Sequence, residues 1–149
     1  MMRVYTYIMS PKPCLCTSLR EAALALTELY DRALEPSGLK ITMFRLLRRL
    51  KNAGPSTISE FAAVVNLDRS TLGRNLKVLE RDGLVTLTCG KDERSKVIHL
   101  TKKAEEAIET ATPYWEKTQQ QIRDIVDEET EIRLNQLTEF NKVSKDQSK

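Results

Sequence analysis

Histidine is nearly absent from this chain: His99 is the only one in 149 residues. A metal centre on several imidazoles is therefore excluded, and His99 itself is expected to face outward on a strand, because Ile98 and Leu100 claim the alternate face. The sequence holds three cysteines, an odd number that makes no disulfide framework, and a reducing compartment leaves them as thiols. No apolar run approaches the roughly 18 residues that span a bilayer. The opening "MMRVYTYIMSPKP" lacks the apolar core of a secretory signal, so a cytoplasmic protein with no membrane partner is expected. Nor is there a G-x-G-x-x-G run, a phosphate loop, or a nucleophile paired with a base. No catalytic residue, no cofactor and no enzyme activity are expected.

What is present is charge, unevenly spread. Residues 1–55 carry nine Lys/Arg against four Asp/Glu, whereas residues 102–149 carry eight against eleven. The basic front is densest in "KITMFRLLRRLK" (40–51), with five basic residues and no acidic one. Two readings fit that segment: contact with a polyanion, or the solvated face of an ordinary helix. At 149 residues, one domain with its own core is expected.

Apolar positions Leu15, Leu19, Ala22, Ala23, Leu26, Leu29, Ala33 and Leu34 predict an amphipathic helix over 15–34, ended by Pro36 and Gly38. A second helix is expected to start at Thr42 as N-cap, with Ile41 and Leu46 as a hydrophobic staple, and to end at Gly54 and Pro55. Thr57 and Glu60 make a T-x-x-E capping box for "ISEFAAVV", which stops at Asn66. Asp68 caps the next helix, closed by Gly83. Two short helices this close must cross steeply, as in a helix-turn-helix. The β-branched runs "LVTLTC" (84–89) and "KVIHLT" (96–101) then predict a hairpin. Helix returns from Lys102 to about Val126, where Pro113 suggests a kink, and again from about Glu128 to Val143, before a polar tail expected to fray.

On a helix over 68–82, Ser70, Arg74, Lys77 and Arg81 fall within a band of about 60°, and Leu72, Leu76 and Leu79 fall on the opposite side. The second helix of a helix-turn-helix is the element that fits a major groove. Arg and Lys can donate to guanine, Asn can pair with adenine, and Ser or Thr can bind base or phosphate. The candidate DNA-binding residues on it are Arg69, Ser70, Thr71, Arg74, Asn75, Lys77 and Arg81. Gly73, beside the band, costs roughly 1 kcal/mol of helix propensity relative to Ala but lets a surface approach the backbone. The hairpin loop "GKDERS" adds Lys91 and Arg94, where an arginine on a narrow arm suits a minor groove with Asp92 orienting Arg94 by an ion pair; because Asp92 and Glu93 partly cancel the charge, a plain exposed turn is the other reading. The competing reading is a winged-helix protein-interaction module whose basic face binds an acidic partner protein.

With "LDRSTLGRNLKVLERDGLV" (67–85) followed by "DERSKVIHLTKKA" (92–104), the chain resembles the MarR family of bacterial winged-helix transcriptional regulators. The resemblance implies a mainly α fold: a winged helix-turn-helix lobe over 40–101 with a two-stranded β-wing, flanked by dimerisation helices at 15–35 and 102–143. It implies a homodimer bound to a pseudo-palindromic double-stranded DNA operator, with the 69–81 helix in the major groove and Arg94 in the minor. Two positions depart from the family pattern. Ala104 stands where the wing motif often has glycine, and Arg45 where Gln or Glu commonly closes the box begun by Thr42. From the residues themselves, Leu15, Leu19, Ile122, Ile125, Val126, Ile132, Leu134 and Leu137 suit either a dimer seam or packing of the two chain ends on each other.

Two release signals are conceivable. In the resembling family, a small, often phenolic ligand binds between the lobes; here the candidate pocket residues are Tyr30, Phe44, Tyr114 and Trp115, each of which also suits core packing. The second is oxidation: Cys14 and Cys16 at the start of the first helix, and Cys89 at the end of a wing strand, are the candidate redox residues, a thiol at a helix N-terminus tending to a lower pKa. The expected function is a repressor released from its operator by one of these signals.

Overall fold

A computed structural model describes residues 14–90 and 95–146. The chain runs α1 (Leu15–Ala33), a 3-10 turn (Glu35–Ser37), α2 (Ile41–Ala53), β1 (Ser56–Thr57), α3 (Ile58–Val65), α4 (Arg69–Arg81), β2 (Val85–Cys89), β3 (Lys96–Leu100), α5 (Lys102–Arg123) and α6 (Glu128–Asp146). The order is that of a winged helix-turn-helix set between long terminal helices, as the sequence predicts.

Three local expectations are corrected. Thr42 does not cap α2: the N-cap lies two residues earlier, and the Ile41 N–H is taken by Asp31 Oδ1 from α1, 2.8 Å away. Lys40, the N-cap, pairs with the same carboxylate at 3.5 Å. A cap supplied across 10 residues displaced the local one. The sheet also holds one strand more than the two-stranded wing of β2 and β3. Ser56 and Thr57 pair antiparallel with Ile98 and Val97, giving a sheet ordered β1-β3-β2. Finally, α6 continues to Asp146, three residues past the expected end at Val143.

One core joins the lobe. Phe44, Leu47 and Leu50 of α2, Phe61 and Val65 of α3, Leu72, Leu76 and Leu79 of α4, and Val85 and Ile98 of the sheet are all buried. Ile108 and Ala111 of α5 close it from the other side. Ala104 is fully buried in this core, so its methyl group fills space. The helix α5 passes through Pro113 without ending. Thr101 caps it, accepting from the Ala104 N–H and donating to the Gly83 carbonyl at 2.8 Å, while Lys103 Nζ donates to the Asp82 carbonyl at 2.7 Å. Gly83 makes the turn between α4 and the wing at φ 72°, a region other residues rarely adopt.

The terminal helices behave differently. No residue of α1 is buried, and Leu15, Leu24, Leu26 and Leu29 stay exposed. Ile125, just before α6, and Ile132, Leu134 and Leu137 on it are exposed as well. Contact of α1 with α5 includes the Tyr30 hydroxyl donating to Gln119 Oε1. Among the described residues, no helix is long and apolar enough to cross a membrane.

Candidate nucleic-acid interface and effector cavity

The helix-turn-helix is fixed at both ends of α3. At its start, Thr57 Oγ1 accepts from the Glu60 N–H (3.3 Å) and Glu60 Oε2 accepts from the Thr57 N–H (2.8 Å), the reciprocal box expected. The Thr57 N–H first, and the Thr57 hydroxyl, which also donates to Oε2 at 2.8 Å, hold the Glu60 carboxyl below its ordinary pKa. At its end, Asn66 turns left-handed at φ 54°, and two α2 arginines hold the last carbonyls: Arg45 Nη2 donates to Val65 at 2.9 Å and Arg49 Nη1 to Val64 at 3.1 Å. Cations at a helix C-terminus also suit its dipole.

Asp68 then starts α4. Its carboxylate accepts from the Thr71 N–H at 2.8 Å, the Ser70 hydroxyl at 2.6 Å and the Thr71 hydroxyl at 2.7 Å. The Ser70 bond first, and those of Thr71 after it, pull the carboxyl far below the usual carboxylate range.

With Leu72, Leu76 and Leu79 anchoring α4, its opposite face presents Ser70, Arg74, Lys77 and Arg81, all exposed, with Arg69 exposed at the start. A Cβ built on Gly73 meets nothing within 4 Å, so the gap beside the band opens to solvent. The structure does not bring all the candidates together. Thr71 is half-buried, and Asn75 is turned toward α2, where it lines a hollow of about 160 Å³ with Lys40, Thr42 and Met43. Arg81 Nε donates to Asp82 Oδ1 at 3.0 Å. On the wing, β2 and β3 pair from Val85↔Leu100 to Cys89↔Lys96, and the Gly90 N–H donates to the Ser95 carbonyl at 2.8 Å. Lys91 and Arg94, with the expected Asp92–Arg94 pair, lie outside the described residues. Ile98 points into the core, and His99, on the other side of the strand, meets Thr88 Oγ1 at 2.8 Å through Nε2.

The basic run of α2 stays largely exposed, with Lys40, Arg45, Arg49 and Lys51 all at the surface, but its side chains also take partners within the chain. Besides Arg45 and Arg49, Lys40 pairs with Asp31, Lys51 stands 4.0 Å from Glu109, and the Arg48 guanidinium lies 4.2 Å from the centre of the Trp115 ring. Arg45, Arg48, Arg49 and Asn52 form one wall of a cavity of about 380 Å³, whose other walls are Tyr30, Ile41, Phe44 and Trp115. The Phe44 and Trp115 ring centres are 6.0 Å apart. Three of the four aromatic candidates therefore share this cavity. Tyr114 does not; it is 41 % exposed, outside the lining. The arginines were legible in principle, since positions 45, 48, 49 and 52 follow the three-and-four spacing of one helix face. Burial raises the Tyr30 phenol pKa, with Arg123 opposing and Glu131 adding to the shift.

All three cysteines are exposed thiols. Cys14 sits at the start of α1, and the main-chain N–H and hydroxyl of Thr17, with the N–H of Cys16, lower its pKa.

Comparison with known proteins agrees with this architecture. A model of the MarR family matches residues 37–95. MosR, a transcriptional regulator of M. tuberculosis solved in complex with DNA, is 38% identical, the match covering 89% of this chain and 97% of that one, with a TM-score of 0.79. YwoH of Bacillus subtilis, an HTH-type transcriptional regulator, is 33% identical over 91 residues; these are 61% of this chain and 66% of that protein's length. The organohalide-sensing regulator RdhR in its 2,4-dichlorophenol-bound form shares the fold, with a TM-score of 0.76 at 20% identity, over 86% of this chain and 78% of that one.

Proposed function

Because the chain belongs to the MarR family of DNA-binding transcriptional regulators, we propose that it works as a homodimeric repressor, reading an operator with α4 in the major groove. Arg94 of the wing reaches the adjoining minor groove. The observation that carries this reading is the exposed band Ser70, Arg74, Lys77 and Arg81, set opposite three buried leucines and beside the open Gly73. Asn75 and Thr71 contribute from the flank of the helix. The exposed leucines of α1, with Ile132, Leu134 and Leu137 of α6, form the seam between two copies.

Release follows from occupying the cavity of Tyr30, Phe44 and Trp115 with a small aromatic ligand. The cavity is walled by α2, which also holds the end of α3 through Arg45 and Arg49. A ligand there shifts the spacing of the two α4 helices, which must reach grooves about 34 Å apart. Oxidation is a second route: two thiols, from Cys14 or Cys16 of each copy, give two electrons and two protons to one hydrogen peroxide, forming one S–S bond across the seam and two waters.

Footprinting on the duplex upstream of the chain's own gene tests this. A protected pseudo-palindrome that is lost on adding peroxide or a phenol supports the reading. Absence of any protection at low salt, with the dimer intact, rejects it and favours an acidic protein partner instead.

A further inference from the structure

We infer that Asp68 sets which bases the operator-reading helix accepts, by turning the Ser70 hydroxyl into an obligate acceptor. The inference rests on α4 entering the major groove, as proposed above, and names the chemistry with which its first turn reads. Asp68 is a positioning residue: it acts through Ser70, with Thr71 as the second hydroxyl in the same grip.

A serine hydroxyl has one hydrogen and two lone pairs, whereas an ionised carboxylate can only accept. The bond between Ser70 Oγ and Asp68 Oδ1, 2.6 Å long, therefore uses the hydroxyl hydrogen. The same holds for Thr71 Oγ1, 2.7 Å from Oδ2. Protonation of the carboxylate would undo this, but the three hydrogen bonds to Asp68 keep it ionised far below neutral pH. What remains on the outer side of both oxygens is lone pairs. Thr71 already directs one of its pairs toward Nη2 of Arg74, at 3.5 Å. Ser70 is exposed within the basic band, and among the described residues no donor meets its lone pairs.

A lone-pair surface discriminates. It is repelled by phosphate oxygens, by guanine O6 and N7 and by thymine O4, and it accepts from the amino groups of adenine N6 and cytosine N4. Every base pair carries one such amino group, on one strand. Ser70 therefore does not choose A·T over G·C; it chooses which strand carries adenine or cytosine. A serine without Asp68 would rotate its hydrogen to suit either edge and would choose nothing.

The experiment is selection of bound sequences from a randomised duplex pool by the full chain, as wild type, Ser70→Ala and Asp68→Asn, followed by affinities on paired duplexes that differ at one position. Asparagine is as good an N-cap as aspartate, so Asp68→Asn keeps the helix start, and thermal unfolding checks that it does. Its neutral amide oxygen is shared with the Thr71 N–H and grips the Ser70 hydrogen weakly. The wild type should prefer adenine or cytosine on one strand at a position where Ser70→Ala shows no preference. At that position the preference, roughly fivefold for one hydrogen bond, should fall toward parity in Asp68→Asn. A purely structural role for Asp68 would weaken all sequences alike and leave the strand choice intact; that outcome overturns the inference. So does a wild-type preference for guanine or thymine there, or a Ser70→Ala motif identical to that of the wild type. If the wild type enriches no motif at all, groove reading by α4 itself fails, and this inference falls with it.

Discussion

Arg45, on α2, donates from Nη2 to the main-chain oxygen of Val65, 2.9 Å away at the last turn of α3. The bond links the wall of the aromatic cavity to the turn that aims α4. Arg45→Met, which keeps the aliphatic stem, should therefore destabilise the fold by about 1 kcal/mol, since the site is open to water and the carbonyl can rehydrate. It should also weaken operator binding several-fold, although Arg45 stands away from the basic band of α4. Thermal unfolding and fluorescence anisotropy on the same samples check both; unchanged operator affinity would show that the turn needs no such brace.

Trp115 is the chain's only tryptophan, and the Arg48 guanidinium sits over its ring at 4.2 Å. Tryptophan emission, excited beyond the tyrosine band, therefore reports on this one ring, which lines the cavity. Titration with a phenol should change that emission saturably, and Phe44→Ala should abolish the change by removing the facing ring. That variant also loses about 3–5 kcal/mol, as for any fully buried phenylalanine, so its folded fraction must be confirmed by circular dichroism. Identical titrations of wild type and Phe44→Ala would place the ligand elsewhere.

Leu76 is 1% exposed on the anchoring side of α4, and Lys77, its neighbour, is exposed on the other. Leu76→Ala should cost about 2–5 kcal/mol of stability through the void it leaves. Lys77→Ala should stay within roughly 0.5 kcal/mol of wild type in stability yet reduce the salt dependence of DNA binding. Chemical denaturation separates the two; equal losses would contradict the division of α4 into a buried and a presented face.

The phenol of Tyr30 titrates above its ordinary value because of burial. The unfolded chain ionises first as pH rises, so stability is unaffected below the ordinary value near 10 and falls above it, until the folded phenol ionises too. Tyr30→Phe should remove that portion of the alkaline loss. Parallel curves for the two proteins from pH 9 to 11 would mean that Tyr30 is not the group responsible.

Exposed Cys14, with its lowered pKa, should oxidise at lower peroxide than Cys89. Non-reducing electrophoresis should show a covalent dimer in wild type and in Cys89→Ser, but none in the Cys14→Ser/Cys16→Ser double variant. A dimer that persists in the double variant would exclude the α1 seam as the place of the bridge.

Features that depend on near neighbours in the chain were legible in the sequence. The Thr57–Glu60 box, Asp68 as cap, Gly83 at the turn and the leucine side of α4 all follow from spacings of four residues or fewer, or from a helical period. What escaped depends on distant partners. Asp31 took over the start of α2 from Thr42, and Ser56 and Thr57 became a strand only because Ile98 and Val97 lie beside them. The contacts of the α2 arginines escaped because Val64, Val65 and Trp115, their partners, are far off in sequence. Asn75, a candidate by residue type and not a member of the band, lies on the flank of α4 that faces α2. Tyr114 and Trp115 are adjacent, so only one of them could face the cavity, and the sequence did not say which.

The central claim, that the exposed band of α4 reads DNA, is tested most directly by salt-resolved anisotropy with wild type and Arg74→Ala on the duplex upstream of the chain's own gene and on a scrambled duplex of equal length. The account predicts that wild type prefers the upstream duplex by at least about a hundredfold. Arg74→Ala should lose most of that preference while still binding both duplexes at low salt. Equal discrimination by the two proteins would contradict it.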